Sequence, residues 1–309
     1  IQQRYGIGDM IIFTPYFQAL SEKIGHPLTV LAKKSSRASD LFEDDKHINN
    51  IIDLNYEKDG IKGFLNLSKE IRKWNFDKVF IFNGSLRYFL LAKFCGIKEI
   101  HQYPLFTSKD VIFQTAKVFT ERYLSKVISS QPKINLNSSR IEEAMKNFNF
   151  NKNFKHVVLG VSASGPTKRW AINNYLELAK KISSKINCKF YIAGGPDDEN
   201  IIRKISESEI KNDCISLSKL SIKEILPIIK NCDLYVGNDT GFLHISSALG
   251  IKCIALFIDS PAFSYSAYSN NIKVIVPEGE TIHSTSHDTL GRDKISFDKV
   301  LFETKKALI

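Results

Sequence analysis

The sequence is poor in cysteine: it has five among 309 residues, and none of them forms a CxxC pair. An odd number of isolated cysteines gives neither a complete disulfide framework nor the ligand spacing of a structural zinc site. Most stand in apolar, strand-like segments, so we expect small buried side chains in a reducing compartment. The longest nearly unbroken apolar stretch, residues 10–20, is too short to cross a bilayer, which needs about 20 residues.

Several catalytic signatures are absent as well. The sequence has no GxSxG and no HExxH, so serine-hydrolase and zincin mechanisms lack their usual residues. It has no DxD, which argues against a nucleotide sugar held through a metal on that motif. His283 and His287 are four residues apart, but the segment around them is rich in Ser and Thr and poorly helical, so no metal site is expected there.

The composition that remains is that of an ordinary globular protein, with 43% hydrophobic and 25% charged residues. It excludes a disordered, collagen-like or coiled-coil chain. The net charge of +10 is uneven, because residues 1–154 carry +7 and residues 155–309 carry +3. The summed field favours an anionic partner for the first half. A lysine-rich surface without a function is the alternative, and no nucleic-acid partner is expected.

Short apolar runs alternate with amphipathic stretches along most of the chain. Nine runs are predicted strands: Leu28–Ala32, Ile51–Leu54, Lys78–Phe82, His156–Val161, Cys188–Ala193, Cys214–Leu217, Asp233–Val236, Cys253–Phe257 and Lys273–Val276. Seven stretches are predicted helices: Pro15–Gly25, Ile61–Trp74, Leu86–Cys95, Asn173–Ile186, Asp198–Ser206, Ser221–Lys230 and Phe242–Leu249. This alternation predicts an α/β fold with parallel sheets built from βαβ units.

The alternation breaks once, at a predicted long helix over 111–128 and a polar segment over 131–155. We therefore predict two Rossmann-like domains, 1–150 and 151–309, whose parallel sheets face a central cleft and bind ligands at the carboxyl ends of their strands. Residues 278–292 are a predicted loop. The predicted last helix, 296–309, is a candidate to pack back on the first domain.

The first candidate site is Gly6-Ile7-Gly8-Asp9. Gly6 and Gly8 permit a tight turn or a close backbone approach, and Asp9 would follow the first strand, where a general base could stand. A simple helix-capping role for Asp9 is the alternative. Thr14 and Pro15 form a typical helix start, although a start nearer Asp9 stays open. Only five residues precede Gly6, so the first strand is expected to be truncated in this sequence.

The second candidate is the loop over 161–170, which contains Ser164 and the triplet Lys168-Arg169-Trp170. Hydroxyl and backbone N–H groups followed by a cation are typical of an anion site. A solvated basic loop is the alternative. The loop lacks the spacing of a Walker A motif.

The third candidate, residues 237–244, links a predicted strand to a predicted helix. A helix start rich in Gly and Thr offers free N–H donors for a diphosphate, so Thr240 and Gly241 are the expected donors. Asp239 would repel phosphate and is expected to shape the turn. His244 lies one turn into the helix, where packing and ligand binding are equally compatible with its spacing.

A fourth, weaker candidate is the turn over 194–199, in which Glu199 could approach a ribose hydroxyl. An ordinary turn followed by a helix start is the alternative there.

These stretches, in this order, resemble glycosyltransferase family 9, the ADP-heptose:lipopolysaccharide heptosyltransferases. The resemblance rests on GxGD leading to Thr-x-Pro or a similar helix start, on Lys-Arg/His-Trp after the first strand of the second domain, and on D-T-G-x-x-H before a helix. The third motif, Asp239 to His244 in this chain, is the most specific. The chain departs from the family pattern at Ser162–Gly165 and at Phe257-Ile258-Asp259.

The resemblance implies a GT-B-like fold and inverting transfer of a heptose from ADP-heptose to a lipopolysaccharide core, with no obligate metal or other cofactor. Asp9 inherits the role of general base. Donor binding falls to Lys168, Ser164, Asp239, Thr240, Gly241, His244 and, loosely, Glu199. The partners implied are a nucleotide-sugar donor and an anionic lipopolysaccharide precursor. A cytoplasmic enzyme is expected, with peripheral contact to the inner membrane as a further expectation.

Two other functions stay open: a nucleotide-sugar 2-epimerase of related fold, and a binding protein that keeps the nucleotide site without catalysis. A dehydrogenase is disfavoured because the third glycine and the ribose acid of the dinucleotide fingerprint are missing. The predicted helix over 111–128 carries Lys117, Arg122 and Lys126 and could rest on an anionic bilayer. Packing within the first domain is the alternative for this helix.

Overall fold

The computed structural model describes residues 1–2, 4, 6–55, 60–104 and 111–309. The chain divides into two compact units, Ile1–Ser130 and Gln131–Ile309. The division lies 20 residues before the boundary that the sequence predicts, because the segment from 131 onward is bonded into the second unit. The Ile134 N–H donates to the Ala248 carbonyl over 3.1 Å, and the Asn231 amide donates to the Ile141 carbonyl over 3.0 Å.

Among its described residues, the first unit contains four short parallel-paired strands and five helices. Its strands are β1 (Leu28–Lys33), β2 (Ile48–Leu54), β3 (Lys78–Ile81) and β4 (Glu99–Gln102), and its helices are α1 (Ile7–Ile24), α2 (Ala38–Leu41), α3 (Gly60–Arg72), α4 (Leu86–Phe94) and α5 (Ile112–Leu124). β1 pairs with β2 and β3 with β4. Ile1 and Gln2 lie between the two pairs, since the Gln2 N–H donates to the Leu31 carbonyl and the Phe82 N–H to the Ile1 carbonyl. Residues 3 and 5 of the predicted first strand lie outside the described residues.

The first helix begins at Ile7, so the start predicted at Thr14 and Pro15 is wrong and the start near Asp9 is correct. Pro15 lies inside α1 and has no N–H for the carbonyl of Ile11. The Thr14 hydroxyl donates to that carbonyl over 2.8 Å and replaces the missing helical bond. This replacement lets α1 continue through the proline, with most of its first four turns buried.

The second unit is built around one six-stranded parallel sheet with the strand order β10-β9-β8-β5-β6-β7. Its strands are β5 (Lys155–Gly160), β6 (Cys188–Ala193), β7 (Cys214–Ser216), β8 (Leu234–Asn238), β9 (Lys252–Leu256) and β10 (Ile272–Ile275). Its helices are α6 (Ser138–Asn147), α7 (Ile172–Ser183), α8 (Glu199–Ser206), α9 (Ile222–Lys230), α10 (Gly241–Ala248), α11 (Ala262–Ser266) and α12 (Phe297–Leu308). Counted within the unit, this is the 3-2-1-4-5-6 order of a doubly wound nucleotide-binding sheet.

The core of the second unit lies on both faces of this sheet, and Trp170, Tyr175 and Tyr235 are among its fully buried side chains. The last helix, α12, contributes Val300 and Leu308 to that core, so it packs in its own unit. Residues 278–292 are irregular except for short turns, as predicted. The α/β class with parallel sheets is confirmed. No helix among the described residues is long and apolar enough to span a bilayer.

Candidate functional site

The second, third and fourth candidate stretches all follow strands of the second unit at their carboxyl ends. The loops after β5, β6, β8 and β9 meet at this edge of the sheet, which is where open α/β sheets bind ligands. Two glycines allow β5 and β8 to approach closely there. A Cβ on Gly160 would lie 1.9 Å from the Tyr235 hydroxyl, and a Cβ on Gly237 would lie 2.4 Å from the Gly160 carbonyl oxygen.

Asn238 joins the loop after β8 to the loop after β5. Its fully buried side chain accepts a hydrogen bond from the Trp170 N–H over 3.0 Å and donates to the carbonyls of Val161 and Ser162 over 3.2 and 3.1 Å. It therefore fixes both ends of the loop that carries Ser164 and Lys168. The sequence analysis assigned no role to Asn238. Its position as a polar residue at the end of a buried strand could have indicated a structural or functional role.

The carboxylate of Asp239 is held from both sides. The Ser260 hydroxyl donates to Oδ2 over 2.7 Å, and Nε2 of His244 lies 3.3 Å from Oδ1. The Asp239 N–H donates to the Leu256 carbonyl over 3.2 Å. These contacts agree with the interpretation that Asp239 shapes the turn, and they fix its carboxylate beside the start of α10.

His244 is a buried residue with both ring nitrogens engaged. Nδ1 lies 2.5 Å from the hydroxyl of Tyr268, and only 3% of the residue is exposed. Burial raises the pKa of Tyr268 well above its usual range, so this hydroxyl keeps its proton and can donate it to Nδ1. A ring protonated on Nε2 then donates to Asp239. The structure thus gives His244 the packing position, with its ring in contact with the Asp239 carboxylate.

The N-terminus of α10 lies beside this carboxylate. Thr240 is the N-cap, and its side-chain oxygen accepts a hydrogen bond from the Phe242 N–H over 3.3 Å. The hydrogen bonds found within the described part of the chain include none that uses the N–H of Gly241. A helix start with an unused N–H provides both a donor and the positive end of the helix dipole for an anion.

Lys168 lies in a short 3-10 turn of the loop after β5. Its ammonium group is 3.3 Å from Nδ1 of His287, so the loop over 278–292 reaches the same edge of the sheet. That loop is anchored there, since the Leu290 N–H donates to Asp259 and the Ala262 N–H donates to Thr285. Ser164 is exposed on the loop that carries Lys168.

The loop after β6 is tied to the Lys168 loop by a charged pair. The Arg169 guanidinium donates to Asp198 over 2.5 Å, and the Gly195 N–H donates to the second oxygen of Asp198 over 3.0 Å. Asp198 is 5% exposed. Glu199, the candidate for a ribose hydroxyl, is the exposed first residue of α8, while the carboxylate beside it is engaged within the protein.

The candidate base lies in the first unit. Asp9 is the third residue of α1, its Oδ2 accepts a hydrogen bond from the Gly6 N–H over 3.3 Å, and its Oδ1 accepts one from Arg4 over 2.8 Å. Asp9 therefore caps the helix, while 17% of its side chain stays exposed. Gly6 has an extended backbone with a φ of −84°, and a Cβ there would lie 3.1 Å from Oδ2 of Asp9. Gly8 is buried within α1.

No group of three or more His, Cys, Asp or Glu side chains that could hold a metal is found in the portion of the chain that the structure describes.

Comparison with known proteins gives a consistent result. The model of glycosyltransferase family 9 (heptosyltransferase) matches residues 64–291. Lipopolysaccharide heptosyltransferase 1 of Campylobacter coli is 24% identical over 202 residues, which are 64% of this chain and 54% of that protein. The chain thus matches about half the length of this curated relative.

Two solved structures share the fold. The glycosyl transferase family 9 protein of Veillonella parvula has a TM-score of 0.82 at 17% identity, covering 99% of this chain and 96% of the other. The ADP-heptose lps heptosyltransferase II of E. coli has a TM-score of 0.78 at 18% identity, covering 99% and 97%. This likeness confirms the predicted GT-B-like class.

Proposed function

This chain belongs to glycosyltransferase family 9, and we propose that it transfers a heptose or a related sugar from a nucleoside diphosphate to a lipopolysaccharide core acceptor. ADP-heptose is the donor we favour, and inversion at the anomeric carbon is the stereochemistry. The observation that carries the proposal is the junction at Asn238, which holds the Lys168 loop against the turn that opens α10. The E. coli relative, described as an ADP-heptose enzyme, supports the choice of donor.

The donor diphosphate is assigned to the second unit. The N–H groups at Thr240 and Gly241 face its oxygens, and the Lys168 ammonium offsets its charge. Asp239, held by Ser260 and His244, accepts from hydroxyl groups of the donor sugar and would repel a phosphate placed on its own side. Ser164 and Glu199 are exposed and remain available for further polar contacts with the donor.

The reaction is a single displacement. The acceptor hydroxyl forms a bond with the anomeric carbon while the bond from that carbon to the diphosphate oxygen breaks, and Asp9 takes the hydroxyl proton. The negative charge that develops on the leaving diphosphate is stabilised by Lys168 and the backbone N–H groups of the α10 start. Because no step uses a metal, we expect transfer to persist in the presence of EDTA.

The basic first unit suits an acceptor that carries phosphates and acidic sugars. Residues 1–130, which form this unit, carry 19 basic and 14 acidic residues, and their net charge of +5 supplies a field that attracts such a molecule to the unit that contains Asp9.

The experiment that tests the donor is thermal unfolding of the purified chain with ADP, UDP, GDP and CDP. A ligand present at 100 times its Kd stabilises the folded state by about 2.7 kcal/mol, so ADP is expected to raise Tm most. A larger shift with UDP would reassign the nucleotide. Transfer is then assayed with ADP-heptose and a core acceptor; epimerisation without acceptor, or tight ADP binding without transfer, would contradict the proposed reaction.

A further inference from the structure

The first unit exposes large apolar side chains on two neighbouring helices. On α3, Ile61 is 83% exposed and Leu65 is 44% exposed; on α4, Leu86, Leu90 and Phe94 are 50%, 50% and 46% exposed. Within each helix these residues are four positions apart, so they form one stripe along its outer face. Single exposed apolar residues are ordinary, whereas aligned stripes on adjacent helices mark an interaction surface.

The two stripes belong to one surface, which we call the α3–α4 face. The rings of Phe64 on α3 and Phe94 on α4 are 5.7 Å apart. The Arg87 side chain donates to the Gly60 carbonyl over 3.2 Å and so joins the start of α4 to the start of α3. The face is therefore continuous across both helices.

Cations lie directly among these apolar groups. The Arg72 guanidinium is 4.5 Å from the centre of the Phe94 ring, Arg87 is 5.7 Å from that of Phe64, and Lys93 is 5.8 Å from that of Phe89. Residues 60–94 contain seven basic and two acidic residues. Apolar side chains mixed with a net positive charge complement a surface that has hydrocarbon below and anionic groups above.

We propose that the α3–α4 face docks this protein on an anionic lipid bilayer. The leucines and Phe94 enter the boundary between headgroups and acyl chains, while Lys93 and the two arginines contact lipid phosphates. The proposal goes beyond the transfer reaction and gives it a location, because an acceptor anchored in a membrane would then be met at the bilayer surface.

The structure shows that α5, whose sequence is compatible with membrane contact, packs within the first unit. Phe113, Ala116 and Leu124 are buried, and the carbonyl of Phe113 accepts a hydrogen bond from the Tyr16 hydroxyl over 2.8 Å. The apolar side of α5 is thus used in packing within the unit. Val118 on α5 and Val127 beyond it are 53% and 83% exposed without a comparable stripe.

The test is sedimentation of the full chain with vesicles of phosphatidylcholine alone or with added phosphatidylglycerol, at low and high salt. The Leu86→Asn, Leu90→Asn double variant is expected to bind anionic vesicles about tenfold more weakly than the unaltered protein, because two membrane-inserting side chains are lost. The matched control is the Val118→Asn, Val127→Asn double variant, which should bind as the unaltered protein does. Lys69 on α3 is exposed and lies four positions after Leu65, so a Lys69→Gln, Lys93→Gln double variant should lose most of the preference for anionic lipid.

Three results would overturn the proposal: no binding to anionic vesicles, equal losses in the test and control variants, or a preference for neutral vesicles. Sedimentation velocity without lipid tests whether a second copy of the chain binds this face instead. If the unaltered protein is a dimer and the Leu86→Asn, Leu90→Asn variant is a monomer, the face belongs to a dimer interface. Nucleotide-dependent Tm shifts are measured on every variant. A retained Tm shift shows that the variant is folded and still binds nucleotide. Loss of membrane binding can therefore be distinguished from a failure of the proposed transfer reaction.

Discussion

Oδ1 of Asn238 accepts a hydrogen bond from the backbone N–H of Trp170 over 3.0 Å, at a point where both residues are buried. The bond connects two stretches that are 68 residues apart in sequence, the turn that opens α10 and the loop that carries Lys168. A ligand that needs both stretches therefore depends on an amide that does not itself have to touch it. The contribution of Asn238 to positioning the two stretches can therefore be measured separately from the contributions of the residues that contact the ligand.

Replacement of this amide should reduce both stability and nucleotide affinity. Asn238→Ala removes the partner of the Trp170 N–H and the donor to two buried carbonyls, and an unsatisfied buried group costs about 1–3 kcal/mol. Urea unfolding and ADP titration measure the two effects. Asn231→Ala is the matched control, because the Asn231 amide also donates to two carbonyls in the second unit, those of Ile141 and Pro227. It should lose stability and keep ADP affinity; equal affinity losses in both variants would contradict a positioning role.

Asp9→Asn should lower turnover roughly 10²–10⁴-fold, because the general base is lost while the side-chain shape is kept. The amide oxygen can still accept from the Gly6 N–H, and the exposed pair with Arg4 is worth only about 0–1 kcal/mol, so Tm should change little. Asp40→Asn is the control, since it breaks an ion pair of 2.7 Å with Arg37 at similar exposure. Activity of Asp9→Asn within about threefold of the unaltered enzyme would remove Asp9 from this role.

Lys168→Ala should weaken ADP binding about 10–100-fold, since a hydrogen bond to a charged group contributes about 1.5–3 kcal/mol and each 1.4 kcal/mol is tenfold. AMP, which lacks the second phosphate, should lose less. Lys180→Ala serves as the control because it removes a lysine of the same unit that pairs with Glu209 on the surface. Calorimetric titration with both nucleotides gives the comparison, and an equal loss for AMP and ADP would place Lys168 away from the diphosphate.

Tyr268→Phe tests whether the His244 ring holds Asp239 in place. Loss of the hydroxyl leaves Nδ1 of His244 without its partner, so we expect the ring to shift and the KM for the donor to rise several-fold with a smaller change in kcat. The control is Tyr191→Phe, which removes a hydroxyl 3.1 Å from Nδ1 of His156 at the opposite end of the strands. Both variants should lose stability; an unchanged KM in Tyr268→Phe would leave His244 a purely structural role.

The sequence predicted the fold class and most strands because buried parallel strands are short continuous apolar runs. β4 was not predicted because Glu99, His101 and Gln102 make its sequence polar. A strand at the edge of a sheet does not have to be apolar. The start of α1 was misplaced because Thr14 and Pro15 form a typical N-terminal pair, and only the structure shows the Thr14 hydroxyl compensating for Pro15 inside the helix.

The candidate site was predictable where one segment holds its own chemistry, as in the Thr240 cap and the helix start at Gly241. What the sequence could not give was pairing across segments. His244 was equally compatible with packing and ligand binding until its contacts with Tyr268 and Asp239 appeared. The Arg169–Asp198 pair likewise depends on the neighbouring positions of β5 and β6 in the sheet.

The buried thiols make stability fall in alkaline solution. Burial raises the pKa of Cys188 to about 11 and that of Cys214 to about 12, and it raises the pKa of Cys232 and Cys253 well above the usual range. Unfolded thiols lose their protons near pH 8.5. Above that pH the unfolded state binds fewer protons than the folded state. The free energy of unfolding therefore keeps its full value below about pH 8.5 and decreases as the pH rises towards the folded pKa values.

Each such thiol contributes a decrease of at most about 1.4 kcal/mol per pH unit. Urea unfolding at several pH values from 7 to 10 measures how the free energy of unfolding changes with pH. Cys253→Ala should make this slope shallower by the contribution of one thiol. The cavity that the substitution leaves lowers stability at every pH and does not affect the slope. Cys95→Ala is the comparison, because Cys95 is only partly buried and should change the slope less. Tyrosines with raised pKa values, such as Tyr268, add to the slope only above about pH 10. A free energy of unfolding that stays constant from pH 8 to 10 would contradict the burial of these thiols, because the folded state would then retain no more protons than the unfolded state does.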